Sequence, residues 1–316
     1  MAGMAEAEAE AEAEEVMLSA FYPHASFRPM EERMLVYTAL FTLVGKMPKD
    51  NKYIAMFYIW FSYLKKYAGL GPGDTVGVII DEATLDYFNR DDNPYFSYIA
   101  NDATFELQLS VMATPATLSA GCAERYNMEH FSNFTKHDIC LYTDIDCLSI
   151  RNIHPLFKEF DITQEYLFIM AEVDEGMTST NYAGHFIESC PIAKKMHGFS
   201  SGWFAWTWGE GGEATKEFFA NVSKSLAGYL GAPLYTIDQP FFNYEIYLWA
   251  SGKVMGKSGI KICIMDSKIV TLNPLVSDPR LAHSSFANFC GEPGVEDCHF
   301  YKLLTFMCVD FSSSKA

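Results

Sequence analysis

The stretch 139-ICLYTDIDCLSI-150 runs from four apolar or aromatic residues into two aspartates one residue apart, then back into apolar sequence. A short apolar run bounded by polar residues marks a buried strand. Ile139 to Tyr142 therefore reads as a strand whose C-terminal end carries Asp144 and Asp146. Side chains two apart on an extended segment share a side, so the two carboxylates converge while Ile145 faces away. In open α/β sheets the carboxyl ends of the strands form the ligand crevice. Two hard oxygen donors at that edge suit Mn2+ or Mg2+, with ligand phosphates completing the octahedron. In the alternative reading, one aspartate ends the strand and the other caps the next helix or turn.

Working outward, 34-MLVYTALF-41 is a β-type run, 52-KYIAMFYIWFSYLKKYAG-69 a helix ending in basic residues and Gly, and 75-TVGVIIDE-82 a second apolar strand. This is a β-α-β unit, which predicts a parallel pair with a right-handed crossover. Further strands are predicted at 105–112, 166–173 and 260–265, with helices over 120–134 and 213–229. Alternating strands and helices predict an α/β domain with a mostly parallel central sheet covered by helices on both faces. The domain is expected over 19–311, between a disordered acidic Ala/Glu tail at 1–18 and a flexible C-terminus at 312–316.

The 316 residues carry a formal charge of −17, and setting aside the six glutamates of the Ala/Glu tail leaves −11. A body that acidic repels phosphate backbones, which argues against nucleic acid as a partner. The eight cysteines show neither C-x-x-C pairs nor zinc-type Cys/His spacing, so free thiols in a reducing compartment are expected. The longest apolar runs, 35–45 and 53–64, are well short of the roughly 18 residues a membrane span requires. With no basic region followed by an apolar one at the N-terminus, a cytoplasmic protein is the expectation.

The strand with D-I-D, followed by F-S-S-G-W-F at 199–204, D-Q-P-F-F-N at 238–243 and F-C-G-x-P-G at 289–294, resembles the GT-A fold nucleotide-sugar glycosyltransferases. The order of motifs is most similar to the retaining, glycogenin-like transferases and covers about residues 34 to 307. The resemblance implies transfer of a sugar from a nucleotide diphosphate donor, UDP-sugar favoured, to a hydroxyl of a glycan, glycoprotein or other acceptor. It implies that Asp144 and Asp146 hold the divalent metal, with Asp144 also touching the donor ribose and Ile145 lying within the same donor-binding stretch. It places Tyr37, Thr38 and Ala39 around the nucleobase, Arg125 facing the donor, Lys302 near the end of the donor site, and Asp238 with Gln239 beside the transferred sugar and acceptor. Relatives supply a third metal ligand from a His next to the final glycine segment. Here that position is Asn288, so His283 is expected in that role, with His299 the other nearby histidine.

Several residues keep two readings. Asp81 ends the second strand, as a base or ribose ligand or as an ordinary strand terminator; Asp238 reads equally as a helix N-cap with Pro240 in the first turn. Trp203, Trp206 and Trp208 either stack on sugar rings or pack in the core. The glycines of 209-GEGG-212 lack phosphate-loop spacing and read as a turn. An inverting mechanism would need a base, for which Asp174, Glu175 and Asp238 are available. Two other functions compete: sugar-phosphate nucleotidyl transfer, whose glycine-rich loop is missing after the first strand, and a non-catalytic carbohydrate- or nucleotide-binding relative. A glycosidase is disfavoured because D-x-D holds its carboxylates too close together to straddle a glycosidic bond.

Overall fold

The computed structural model describes residues 33–90, 96, 104–134, 136–187, 193–231, 234–252, 259–290 and 298–306. The expected tail at 1–18, the C-terminus at 312–316 and most of the 289–294 segment lie outside them. Met34–Leu40 forms β1, Lys52–Tyr67 α1, Thr75–Asp81 β2 and Glu82–Phe88 α2. Then come β3 at Glu106–Met112, α3 at Leu118–Ala123, β4 at Ile139–Thr143, β5 at Cys147–Ser149 and β6 at Tyr166–Gly176. The second half contributes α4 (Gly184–Ile187), β7 (His197–Thr207), α5 (Glu213–Ala227), α6 (Gln239–Ala250), β8 (Lys261–Met265), β9 (Val270–Leu272), β10 (Phe286–Asn288) and α7 (Cys298–Phe306).

Seven strands make one sheet in the order β3-β2-β1-β4-β7-β6-β8. The run β3-β2-β1-β4 is parallel, as is β6 with β8; β7 alone runs antiparallel to both its neighbours, β4 and β6. The predicted mixed α/β, mostly parallel sheet is therefore the architecture observed. Period-two alternation splits β1 between two cores. Met34, Val36 and Leu40 pack with Phe57 and Trp60 of α1, while Leu35 and Tyr37 pack with Phe218 of α5 and Phe242 of α6. A fully two-sided burial of this kind explains why β1, β2 and β4 are near-continuous apolar runs.

A second sheet, β5-β10-β9, joins the first directly after the aspartate pair. β10 runs antiparallel to β5, with Asn288 opposite Cys147. The helix expected over 120–134 is instead α3 followed by two 3-10 turns, Glu124–Tyr126 and Met128–Ser132. The break falls at Asn127, which is extended (φ −77°, ψ 107°) and whose side chain accepts from Glu129 N. An Asn capping a new turn in mid-segment competes with the helical ladder, which is the reason the long helix does not form.

Candidate active site

The segment Asp144-Ile145-Asp146 is not extended as the strand pattern predicts. Cys147 N donates to Asp144 O at 2.9 Å, closing a turn between β4 and β5. Ile145 packs into the core on the α1 side, and both aspartates are partly buried at the surface of the crevice. The carboxylates are thus brought together by a turn rather than by strand alternation. The turn is anchored on each side: Asp144 N donates to Gly202 O at 2.8 Å, and Phe289 N donates to Asp146 O at 2.9 Å. Gly202, in β7, has no room for a side chain there, since a Cβ would lie 2.8 Å from Asp144 Oδ2.

Arg125 sits in the first 3-10 turn, buried, and joins residues distant in sequence. Its Nη1 is 3.1 Å from Asp144 Oδ1, 3.6 Å from Asp238 Oδ2 and 3.3 Å from the carbonyl of Ser201. Its guanidinium lies over the Tyr142 ring, 4.8 Å from the centroid. Burial alone would lower its pKa, but the charges of Asp144 and Asp238 outweigh burial and hold it well above the ordinary arginine value. Tyr142 donates to Asp144, and Tyr126 donates to Asp238 at 2.5 Å. Both tyrosine rings stack on Phe204, with centroids 5.0 Å and 5.6 Å away.

Asp238 occupies the N-cap position of α6, as its sequence suggests, but its side chain caps nothing. It turns inward to Tyr126 and Arg125, and burial pushes its carboxyl above the usual range despite them. Gln239 follows it in the helix, accepting from Ser201 N at 3.1 Å and donating to Asn181 O at 3.1 Å. Asn243, one turn on, bonds both N and O of Phe199. The D-Q pair and the F-S-S-G strand are therefore fastened together, with Arg125 between them and Asp144.

Asp146 has its carboxyl pushed up to about 8, first by burial and then by the charge of Asp144. Tyr53, in the first turn of α1, is pushed up to about 12 by burial and by both aspartates, which places it at the same edge. A carboxylate whose proton affinity is raised by a second one beside it forms with that neighbour a donor set that a divalent cation would relieve, so Asp144 and Asp146 fit a metal through oxygen ligands. Among the described residues no group of three His, Cys, Asp or Glu side chains is placed to hold a metal. His283 is exposed at the end of a 3-10 turn and does not complete the expected set. The backbone that does meet Asp146 is that of Phe289, one residue beyond Asn288.

The remaining predicted residues divide. Tyr37 is fully buried among Phe131, Tyr142 and Trp206 and donates to the carbonyl of Arg125 at 2.9 Å, so it supports Arg125 from behind. Thr38 is buried, while Ala39 is partly open. Asp81 takes the strand-terminating reading: it accepts from Thr42 N, Ala83 N and Thr114 Oγ1 and caps α2. Lys302 donates to Asn273 at 3.2 Å and lies within electrostatic reach of Cys290, whose thiol burial and Asp146 push up to about 12. Trp203 and Trp206 are core residues on opposite faces of β7. The side chains of Asp174, Glu175 and His299 fall outside the description. Tyr126 and Tyr142 were not singled out from sequence, although Tyr126 adjoins Arg125; Gly202 entered only as the end of the S-S-G motif.

No protein-family model matches the chain, and neither does any curated protein. Among solved structures the chain is similar to one described as the WbbM bifunctional glycosyltransferase in its apo form, with a TM-score of 0.52 at 9% identity. The match covers 91% of this chain and 52% of that one, so the chain spans about half the length of the structure it matches. The protein thus has a glycosyltransferase-like α/β fold. Among the described residues no helix is long and apolar enough to cross a membrane, and Cys122, Cys140, Cys147, Cys263 and Cys290 are free thiols.

Proposed function

We propose that the protein is a metal-dependent glycosyltransferase that moves a sugar from a nucleotide diphosphate donor, UDP-sugar favoured, to a hydroxyl acceptor in the cytoplasm. The observation that carries this reading is Arg125, which joins the Asp144 carboxylate to Asp238 at the C-terminal edge of a glycosyltransferase-like sheet. Asp144 and Asp146 would hold Mn2+ or Mg2+, which supplies Lewis-acid neutralisation of the diphosphate leaving group. Arg125, fixed by two carboxylates and a carbonyl, keeps Asp144 oriented and adds a permanent positive charge to a net negative crevice. Gln239 and Asp238 stand on the other side, where the sugar and acceptor would lie. Asp238 is locked by Tyr126 and Arg125 rather than open to solvent, so among the described carboxylates it serves as a fixed charge and not as a mobile base.

The absence of a third protein ligand among the described residues favours one second reading, a nucleotide-sugar-binding relative without turnover. One experiment addresses both. Thermal stabilisation is measured with a panel of nucleotide diphosphates, with and without Mn2+, on the native chain and on Asp146→Asn. Metal-dependent stabilisation by at least one nucleotide, lost in the variant, is expected. Stabilisation by none, or stabilisation unaffected by the substitution, would sink the assignment. Nucleotide release from an intact donor then separates a transferase from a binding relative.

A further inference from the structure

A cavity of 460 Å³ opens at the edge of the sheet opposite the aspartate pair. Its floor is Leu35 and Cys140, paired residues near the N-terminal ends of β1 and β4. With roughly 3.3 Å of rise per residue, the four residues from Cys140 to Asp144 put it about 13 Å from that aspartate. Phe131 and Trp208 form aromatic walls. Trp208 is the one tryptophan of the 203–208 stretch that the two cores do not fully bury, and the adjoining 209-GEGG-212 turn folds tightly over it. Gly209 and Gly212 both have positive φ (55° and 70°), and a Cβ on Gly212 would lie 2.5 Å from the Trp208 ring. The turn therefore needs glycine to frame the cavity.

The basic residues lining this cavity are Lys136, His137 and Lys216, and no carboxylate lines it among the described residues. In a chain with 40 Asp and Glu against 23 Lys and Arg, that is a local inversion of charge. Ser132 lines the same wall, its hydroxyl donating to Glu129 O at 2.7 Å and leaving its oxygen as an acceptor. Lys216 is held at the mouth by Gly211 O at 3.2 Å and by Glu213 at 3.0 Å. That ion pair is exposed, and exposed pairs are weak enough for an incoming anion to compete. The volume falls in the range of small-molecule sites, and the mix of apolar wall with a few convergent donors is what such sites present.

We propose that this cavity is a second binding site, for a small anionic molecule with a flat apolar body: the body rests against the wall that Phe131 and Trp208 make together, edge to face with centroids 6.0 Å apart, and its carboxylate, sulfonate or phosphate meets Lys136 and Lys216. The site is independent of the glycosyltransferase reading. The test uses the full chain and anilinonaphthalene sulfonate, an anionic aromatic probe, followed by fluorescence and by the methyl resonance of Met128, which lines the cavity. Saturable one-to-one binding that shifts the Met128 resonance is expected. Lys136→Glu and Lys216→Glu, both at exposed positions, should each weaken it about tenfold or more, a loss of about 1.4 kcal/mol. Uncharged phenylnaphthylamine should bind about tenfold more weakly than the sulfonate, and Asp146→Asn should bind the sulfonate as the native chain does. No saturable binding, binding indifferent to both lysine substitutions, or binding abolished by Asp146→Asn would each overturn the assignment.

Discussion

Trp60 Nε1 donates to Thr143 Oγ1 at 2.9 Å, tying the middle of α1 to the residue immediately before Asp144. Both partners are fully buried, so neither can exchange this bond for one to water. Thr143→Val, close in shape, leaves the indole N–H unsatisfied and should cost about 1–3 kcal/mol. The cost is read from urea unfolding at a fixed slope. A Thr143→Val chain as stable as the native one would show that the indole finds another acceptor and that the tie is not what holds α1 against the site.

Gly202 makes a sharper test of the site than of the fold. The atom nearest to a Cβ at this position is the end of the Asp144 side chain, not backbone, so Gly202→Ala displaces a carboxylate while leaving the strand intact. Stability should fall by less than about 1.5 kcal/mol, whereas Mn2+-dependent stabilisation by nucleotide should drop several-fold. Parallel losses in both measurements would mean that the strand itself had moved.

Arg125 is the only described cation that contacts both Asp144 and Asp238, and removing it strands the latter in the interior. Arg125→Met should therefore cost about 3–5 kcal/mol, because an unpaired buried charge is left behind. Adding Asp238→Asn to Arg125→Met should recover a large part of that loss, since the two sites are coupled. Arg125→Lys keeps the charge but loses the guanidinium's stacking on Tyr142, and it should fall between. The unfolding midpoints of the native chain, of these three variants and of Asp238→Asn alone decide the matter; strict additivity of the double variant would refute the pairing.

The large sheet was legible because β1, β2 and β4 are buried on both faces and so spell themselves as apolar runs. Arg125, Asp238 and Gln239 were singled out only through motif order, and the contacts that bring them together were not legible. Arg125 meets Asp238 across 113 positions and Ser201 across 76, and no local periodicity encodes such pairs. The turn at Asp144–Cys147 was misread as strand because D-I-D satisfies the alternation of a strand while the bond from Cys147 N to Asp144 O is a tertiary choice, fixed by Gly202 and Phe289. His283 was chosen by proximity in sequence to the closing loop. The register of β10 against β5 instead presents Asn288 and Phe289 to that turn, and leaves His283 in an exposed 3-10 corner.

The acidity of Asp146 yields the last prediction. Its folded-state carboxyl is pushed up to about 8 by burial and by Asp144, whereas in the unfolded chain an aspartate titrates near about 4. Between those values the folded state binds the extra proton, so without metal Asp146 makes stability fall as pH rises from about 4 to about 8. Asp146→Asn, which mimics the protonated form, should match the native chain near pH 4 and exceed it increasingly toward pH 8. Metal binding demands the deprotonated carboxylate, so the stabilisation that Mn2+ gives the native chain should grow over the same interval. Unfolding midpoints measured across that range, with chelator and with Mn2+, test both slopes. Native and variant curves that stay parallel without metal would show that Asp146 is already ionised in the folded protein.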